Sequence, residues 1–255
     1  TIIICNGHSM SVNSKGVVTK VEPAMSIPRY TEKFNKNDTV YYLYFTFECA
    51  GLDKAAEDLA NFVDINELGE DIWLFGHSKS GVCFYKAMQY LSSHFIRSKI
   101  NLVTISAPFN GTIMATKRFR KIPKKLNFLL NLVHGFLFSD HVIDHDISPR
   151  SEFLQTLPTE EEVLKVCTHY NVCSTLVETK FWKCKGVQNK FCKFLEWAVG
   201  IDDGIVRYDS QFIHPEKYMS SGKFAQGTVL CGHTSSLGLG IDLVLSGKLD
   251  TQFEN

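Results

Sequence analysis

Three residue types that together can carry out nucleophilic acyl chemistry occur at separated points of this chain. Ser78 lies in Gly76-His77-Ser78-Lys79-Ser80-Gly81, the adjacent acids Asp202 and Asp203 precede Gly204, and His233 follows Gly232. A serine hydroxyl is a poor nucleophile on its own, so it needs a base within hydrogen-bond reach and a group that orients that base. An imidazole and a carboxylate fill those roles, and attack on an ester carbonyl then calls for N–H donors around the oxyanion that forms. Asp202 and Asp209 compete for the acid position, and Asp203 is preferred because Gly204 permits a tight turn beside it. Two other imidazoles compete for the base. His77 shares the turn with Ser78 and is expected to point into packing, while His214 follows no strand.

Chemistry of this kind needs elements that hold the three groups together. Ile72 to Phe75 reads as a buried parallel strand, and Val82 to Phe95 has apolar residues at helical spacing. Strand, sharp turn, helix is the order a nucleophile elbow requires. At its apex the backbone is strained and the residues two before and two after crowd each other, a need that Gly76 and Ser80 meet. The turn would aim the hydroxyl of Ser78 out at the N-terminus of the next helix, whose partial positive charge favours a developing anion.

Further apolar runs suggest the rest of the sheet. Thr1 to Cys5 reads as a buried strand ending in the turn-rich Asn6-Gly7-His8-Ser9-Met10, and Thr39 to Phe45 is strongly β-prone. Ile100 to Ser106, Leu164 to Val172 and Thr228 to Cys231 read as later strands, and Leu52 to Val63 and Trp182 to Val199 as helices. Strands alternating with helical patterns imply a parallel sheet covered on both faces, with its ligand crevice at the carboxyl ends of the strands.

Between about 110 and 160 the alternation breaks, and this stretch is read as a cap or lid insertion. Lys117 to Lys125 packs six positive charges into nine residues, and Leu126 to Phe138 is almost wholly apolar. That run is too short for a membrane span, which needs about 20 residues. A basic flank beside an apolar helix suits transient contact with a lipid or substrate surface through 117–138; a solvated charge run beside a buried helix fits as well.

Composition narrows the classes. At 255 residues with 44% hydrophobic content the chain can bury one sizeable core, and its 27 basic and 27 acidic residues give no reason to expect nucleic acid as a partner. The eight cysteines are spread along the sequence with no C-x-x-C, so no zinc site is expected. Only Cys184 with Cys192, or Cys167 with Cys173, is close enough to suggest a disulfide. His141, Asp144, His145 and Asp146 include the usual metal-ligand types, yet an ordinary polar loop collects the same residues, and neither metal nor cofactor is expected. No signal peptide precedes Thr1, and the scattered cysteines favour a cytoplasmic setting, with secretion left open.

Taken together in order, several stretches resemble the α/β-hydrolase superfamily, and within it the bacterial lipase and esterase branch. GHSKSG is similar to the lipase elbow GHSxGG, SAPFNGT to a PHxGT segment, ISPRSEFLQTL to a TPGSxFLxxL segment, DDGIVRYDS to the DGxVxxxS acid loop and GHTSSL to the GHSxL histidine loop. Asn6 stands where the family's oxyanion loop usually has histidine, and Ser80 where the elbow usually has glycine. No strand precedes the first one, which implies a reduced sheet of about six strands. The resemblance implies a single α/β-hydrolase domain with Ser78 as nucleophile, Asp203 as acid and His233 as base. It also implies an oxyanion hole from the N–H of Lys79 and the loop at His8 and Ser9. The expected activity is cleavage of carboxylic esters. Acyl transfer or thioester cleavage with the same residues, and a non-catalytic binding protein of the same fold, are the alternatives.

Overall fold

The computed structural model describes residues 1–6, 22–23, 30, 32–43, 51–65, 68–91, 98–112, 115, 146–176, 180, 190, 193–194, 202–213 and 222–249. Within them a seven-stranded sheet is built from β1 (Ile2–Asn6), β2 (Glu22–Pro23), β3 (Val40–Tyr42), β4 (Asp71–His77), β5 (Lys99–Ile105), β6 (Thr168–Ser174) and β7 (Phe224–Val229). Spatial order is β2-β3-β1-β4-β5-β6-β7. Six of these strands are parallel, and only the two-residue β2 runs antiparallel, against β3. The chain moves outward from β1 to β3 on one side, then returns to lay β4 on the other. That reversal places the crevice over the carboxyl ends of β1 and β4, at Asn6 and Ser78.

Alternation along the strands explains why both faces are covered. Ile3, Cys5, Ile72, Leu74, Ile100 and Leu102 face one layer, where they pack on α1 (Gly51–Ile65) and α2 (Lys79–Ala87). Ile2, Ile4, Phe75, Val103 and Ile105 face the other, against Leu237, Ile241 and Val244 of α6 (Ser236–Leu245). The described residues between α2 and α6 include the short helices α3 (Glu152–Gln155), α4 (Glu160–Val166) and α5 (Tyr208–Gln211). In α1 the buried positions Leu52, Ala55, Ala56, Leu59, Ala60 and Val63 recur every three or four residues, the spacing that gives a helix one apolar stripe. Asp146 caps that helix, its carboxylate accepting the Leu52 N–H at 2.7 Å, which satisfies an orphan donor and opposes the helix dipole.

The fifth large strand begins later than the sequence suggests. Residues 164–166 end helix α4, and the strand starts at Thr168. The cause is a capping box: Thr159 accepts from Glu162 N–H while the Glu162 carboxylate accepts from Thr159 N–H, closing two orphan donors at once. Thr-x-x-Glu was present in the sequence, and it outweighs the β-prone residues that follow. The last strand, in turn, begins at Phe224 rather than Thr228. Cys167 and Cys173 are both free and buried, so that pairing does not form. Of the four residues weighed as a metal group, Asp146 is the helix cap, and 141, 144 and 145 lie outside the described residues. Among the described residues no cluster of three potential ligands could hold a metal ion, and no helix is long and apolar enough to cross a membrane. The proposed cap falls mostly on 116–145, and the helix expected at 182–199 mostly on 181–200; both lie outside the described residues.

Candidate functional site

Ser78 sits between β4 and α2 with φ 59° and ψ −132°, a backbone region that costs a non-glycine residue of order 1–3 kcal/mol and persists only where the surroundings enforce it. Here they do. Ser78 N–H donates to the Ile105 carbonyl at 2.8 Å, and the chain on either side of the turn is in contact with itself. A Cβ on Gly76 would lie 2.7 Å from Gly81 Cα, and one on Gly81 would lie 2.8 Å from Ala107 Cβ. The glycine that allows the helix to approach is therefore Gly81, one position later than the Ser80 expected to serve. Ser80 instead fastens the elbow to β1. Fully buried, its hydroxyl accepts the His77 N–H at 3.1 Å and lies 2.6 Å from the Cys5 carbonyl.

His233 begins a 3-10 turn shortly after β7. Its Nε2 is 2.8 Å from Ser78 Oγ and its Nδ1 is 2.8 Å from Asp203 Oδ2. Backbone links reinforce this geometry, since His233 N–H donates to the Asp203 carbonyl at 3.0 Å. Asp203 and His233 are buried, and Ser78 is half-buried. Burying a carboxylate is tolerable only when donors surround it, and Asp203 has them. Oδ1 accepts the N–H groups of Ile205 and Val206 at 2.8 and 2.6 Å, and Oδ2 accepts Ser174 Oγ at 2.8 Å and Gln211 Nε2 at 3.2 Å besides the imidazole. Gln211 is oriented without ambiguity, because its Oε1 takes the Ser174 backbone N–H at 2.7 Å.

The competing groups point elsewhere. Asp202 Oδ2 accepts the Tyr208 N–H at 2.6 Å, and Asp209 forms an exposed ion pair with Arg207. His77 is buried behind the elbow, and His214 lies outside the described residues. Among the residues named for the oxyanion, Lys79 is the first residue of α2, immediately after Ser78. His8 and Ser9 lie outside the described residues. The first turn of a helix is the positive end of its dipole, which suits a backbone N–H there to an oxyanion.

Ser174 and Gln211 were not singled out from the sequence, and neither was the role of the loop after β5. That loop braces the acid: Thr112 Oγ1 donates to the Ile205 carbonyl at 2.6 Å and Ser210 Oγ donates to the Gly111 carbonyl at 2.5 Å. Gly111 has φ 81°, and a Cβ there would meet Pro149 N at 2.6 Å. The Asn110-Gly111-Thr112 stretch was legible as a motif, but its mechanical purpose was not. Asp203 itself lies far from β6 in sequence, and the Leu176 N–H to Asp202 carbonyl bond at 2.7 Å ties it to the end of that strand.

No protein-family model matches this sequence, and no curated protein matches it. Among solved structures, the mature lipase BlEst2 of Bacillus licheniformis superposes with a TM-score of 0.61 at 12% identity, over 98% of this chain and 90% of that one. The fold is that of the α/β-hydrolases. A metagenomic carboxyl esterase aligns over 98% of this chain and 75% of its own at 12% identity, and phospholipase PlaB of Legionella pneumophila over 83% and 44% at 11%. Their TM-scores are 0.46 and 0.48. At such identities the likeness to BlEst2 concerns fold alone. What the α/β-hydrolase sheet contributes here is the placement of three loops, after β4, β6 and β7, along one edge.

Proposed function

We propose that this protein is a serine hydrolase that cleaves carboxylic esters through an acyl-enzyme on Ser78. The observation that carries the reading is the unbroken line from Asp203 through His233 to Ser78, with both links at 2.8 Å and the hydroxyl on a strained elbow. In this reading His233 Nε2 takes the Ser78 proton as Oγ attacks the ester carbonyl. Asp203 holds Nδ1–H, fixes the tautomer and stabilises the imidazolium that forms. The Lys79 N–H, with the loop at His8 and Ser9, receives the oxyanion; losing one such donor costs about 3 kcal/mol of transition-state stabilisation in other enzymes. His233 then returns its proton to the departing alcohol, and water, activated by the same imidazole, releases the acid. The stretch 117–138 is proposed to meet the acyl chain or a lipid surface.

A fluorophosphonate probe followed by peptide mapping tests the nucleophile, and a p-nitrophenyl ester series from acetate to palmitate tests the substrate class. Labelling at Ser78 with turnover that Ser78→Ala abolishes is the expected result. An unlabelled, inactive wild-type protein would establish the non-catalytic alternative instead. Products carrying the acyl group on an alcohol, amine or thiol acceptor would make it a transferase.

A further inference from the structure

His77 is the last residue of β4 and the neighbour of Ser78, yet its buried ring turns away from the crevice. Nε2 lies 2.9 Å from the backbone carbonyl of His233 and 3.0 Å from Ser236 Oγ, and Nδ1 lies 3.0 Å from Asn6 Oδ1. A ring nitrogen that close to a carbonyl oxygen must carry a proton, since two lone pairs would repel there. Nε2–H therefore donates to His233, and Nδ1 of the neutral ring is the acceptor, facing the Asn6 amide, whose N–H₂ stands there when the amide is turned about. The same carbonyl accepts Ser236 Oγ at 2.8 Å. From Ser236 the hydroxyls continue to Ser106 at 2.7 Å, Ser174 at 2.6 Å and Asp203 at 2.8 Å. His233 is thus held at two ends: Asp203 fixes its side chain, and His77 with Ser236 fixes its backbone. The two imidazoles lie with centroids 4.8 Å apart, so the base rests against the ring that anchors it.

We propose that His77 is a positioning residue for the base, which it serves through the His233 carbonyl while its Nδ1 ties it to Asn6, the residue that leads from β1 into the loop at His8 and Ser9. This rests on the reading of Ser78, His233 and Asp203 as a catalytic triad. Its physical basis is that proton transfer at 2.8 Å has little tolerance: His233 lies on a short turn, and slack in that turn becomes misplacement of Nε2 relative to Ser78 Oγ. A packing role alone would require only a side chain of similar shape. A positioning role requires a donor at the place of Nε2.

The test compares two amides. In His77→Gln the amide nitrogen reaches the place of Nε2, whereas in His77→Asn it reaches only that of Nδ1. Both variants and the wild type are assayed for kcat and KM on a short soluble p-nitrophenyl ester and for the rate of fluorophosphonate labelling, with the melting temperature measured alongside. His77→Gln is expected to stay within about threefold of wild type, and His77→Asn to lose about 10²-fold in kcat and labelling rate with KM little changed, the size of effect that a misplacement near 1 Å produces. Wild-type rates in His77→Asn, or equal losses in both variants, overturn the proposal. Should His77→Asn not fold, His77→Met, which fills the volume without a donor, takes its place: a comparable loss in kcat and labelling rate is expected, and wild-type kcat in it would overturn the proposal. A wild-type protein that the probe does not label overturns the triad reading and this inference with it. A labelled wild type with indifferent variants overturns this inference alone.

Discussion

Two places in this molecule set a buried histidine between a carboxylate and a hydroxyl at the same distances. At the sheet's carboxyl edge, Asp203, His233 and Ser78 are linked at 2.8 and 2.8 Å. In the core, Glu160 Oε1 is 2.8 Å from His169 Nδ1, and His169 Nε2 is 2.8 Å from Thr104 Oγ1. What separates them is where the hydroxyl is and where its proton points. Thr104 lies fully buried within β5 and donates to Asn171 Oδ1 at 2.9 Å. That direction is fixed, because Asn171 Nδ2 is committed to the Gln211 carbonyl at 3.0 Å, leaving its oxygen for Thr104. His169 must then donate to Thr104, and no lone pair is left on Nε2 to take a proton. Ser78 has its hydroxyl on a strained turn at the crevice, facing an imidazole nitrogen that can accept. Spacing alone thus makes a stabilising network, and on the proposed reading it is exposure with the right proton direction that would make Ser78 a nucleophile.

The sharpest way to break that contrast is to remove each hydroxyl. Ser78→Ala should lower ester turnover by about 10⁵-fold or more, whereas Thr104→Val should leave turnover per folded molecule unchanged while costing about 1–3 kcal/mol of stability for the buried groups it orphans. Steady-state rates and denaturant midpoints measured on the same preparations check both halves, and comparable loss of activity in the two variants would erase the distinction. Next in size are the acids. Asp203→Asn should cost about 10⁴-fold in kcat through the wrong tautomer, far more than Asp202→Asn, which leaves an amide oxygen to accept the Tyr208 N–H; the reverse ranking would move the acid by one residue. Glu160→Gln tests the other pair. Breaking a buried ion pair or its neutral equivalent costs about 3–5 kcal/mol, so chemical denaturation should show a large loss while kcat holds.

An imidazole base works only while it holds a lone pair, so an imidazole in that role predicts turnover on soluble esters that falls as the medium is acidified; a flat profile would argue against it. The smallest effect concerns two thiols, one beside each carboxylate. Burial, with Glu160 nearby, pushes Cys167 up, and burial, with Asp203 nearby, pushes Cys173 up. A raised thiol pKa means that the folded chain keeps a proton the unfolded chain releases, so stability from these groups is intact below the ordinary value of 9.0 and is lost as pH rises above it. Iodoacetamide at about pH 8 should therefore modify both slowly in the native protein. Rapid reaction at Cys173 alone would show that the acid's surroundings open more readily than the core pair.

Much of this was legible in the amino-acid sequence, because it depends on local order. The apolar runs at Ile2 to Cys5, Ile72 to Phe75 and Ile100 to Ile105 needed only pattern to be read as buried parallel strands. The elbow needed only a serine among small residues between a strand and a helix. The order of serine, acid and histidine came from motifs that are each continuous in the chain. What tertiary structure alone decided involves residues far apart in sequence and close in space. The choice of Asp203 over Asp202 depends on which carboxylate meets Ser174, Gln211 and two backbone N–H groups; adjacent acids look alike until their side chains diverge. Gly81 rather than Ser80 is the close-contact position, since the clash it avoids is with Gly76 and Ala107 across the turn. His77 had no local sign of holding a carbonyl 156 positions away, and the Glu160 and His169 pair gave no hint that it copies the site's distances without its chemistry. Hydrogen-bond direction is a property of three-dimensional neighbours, and no period or spacing along the chain encodes it.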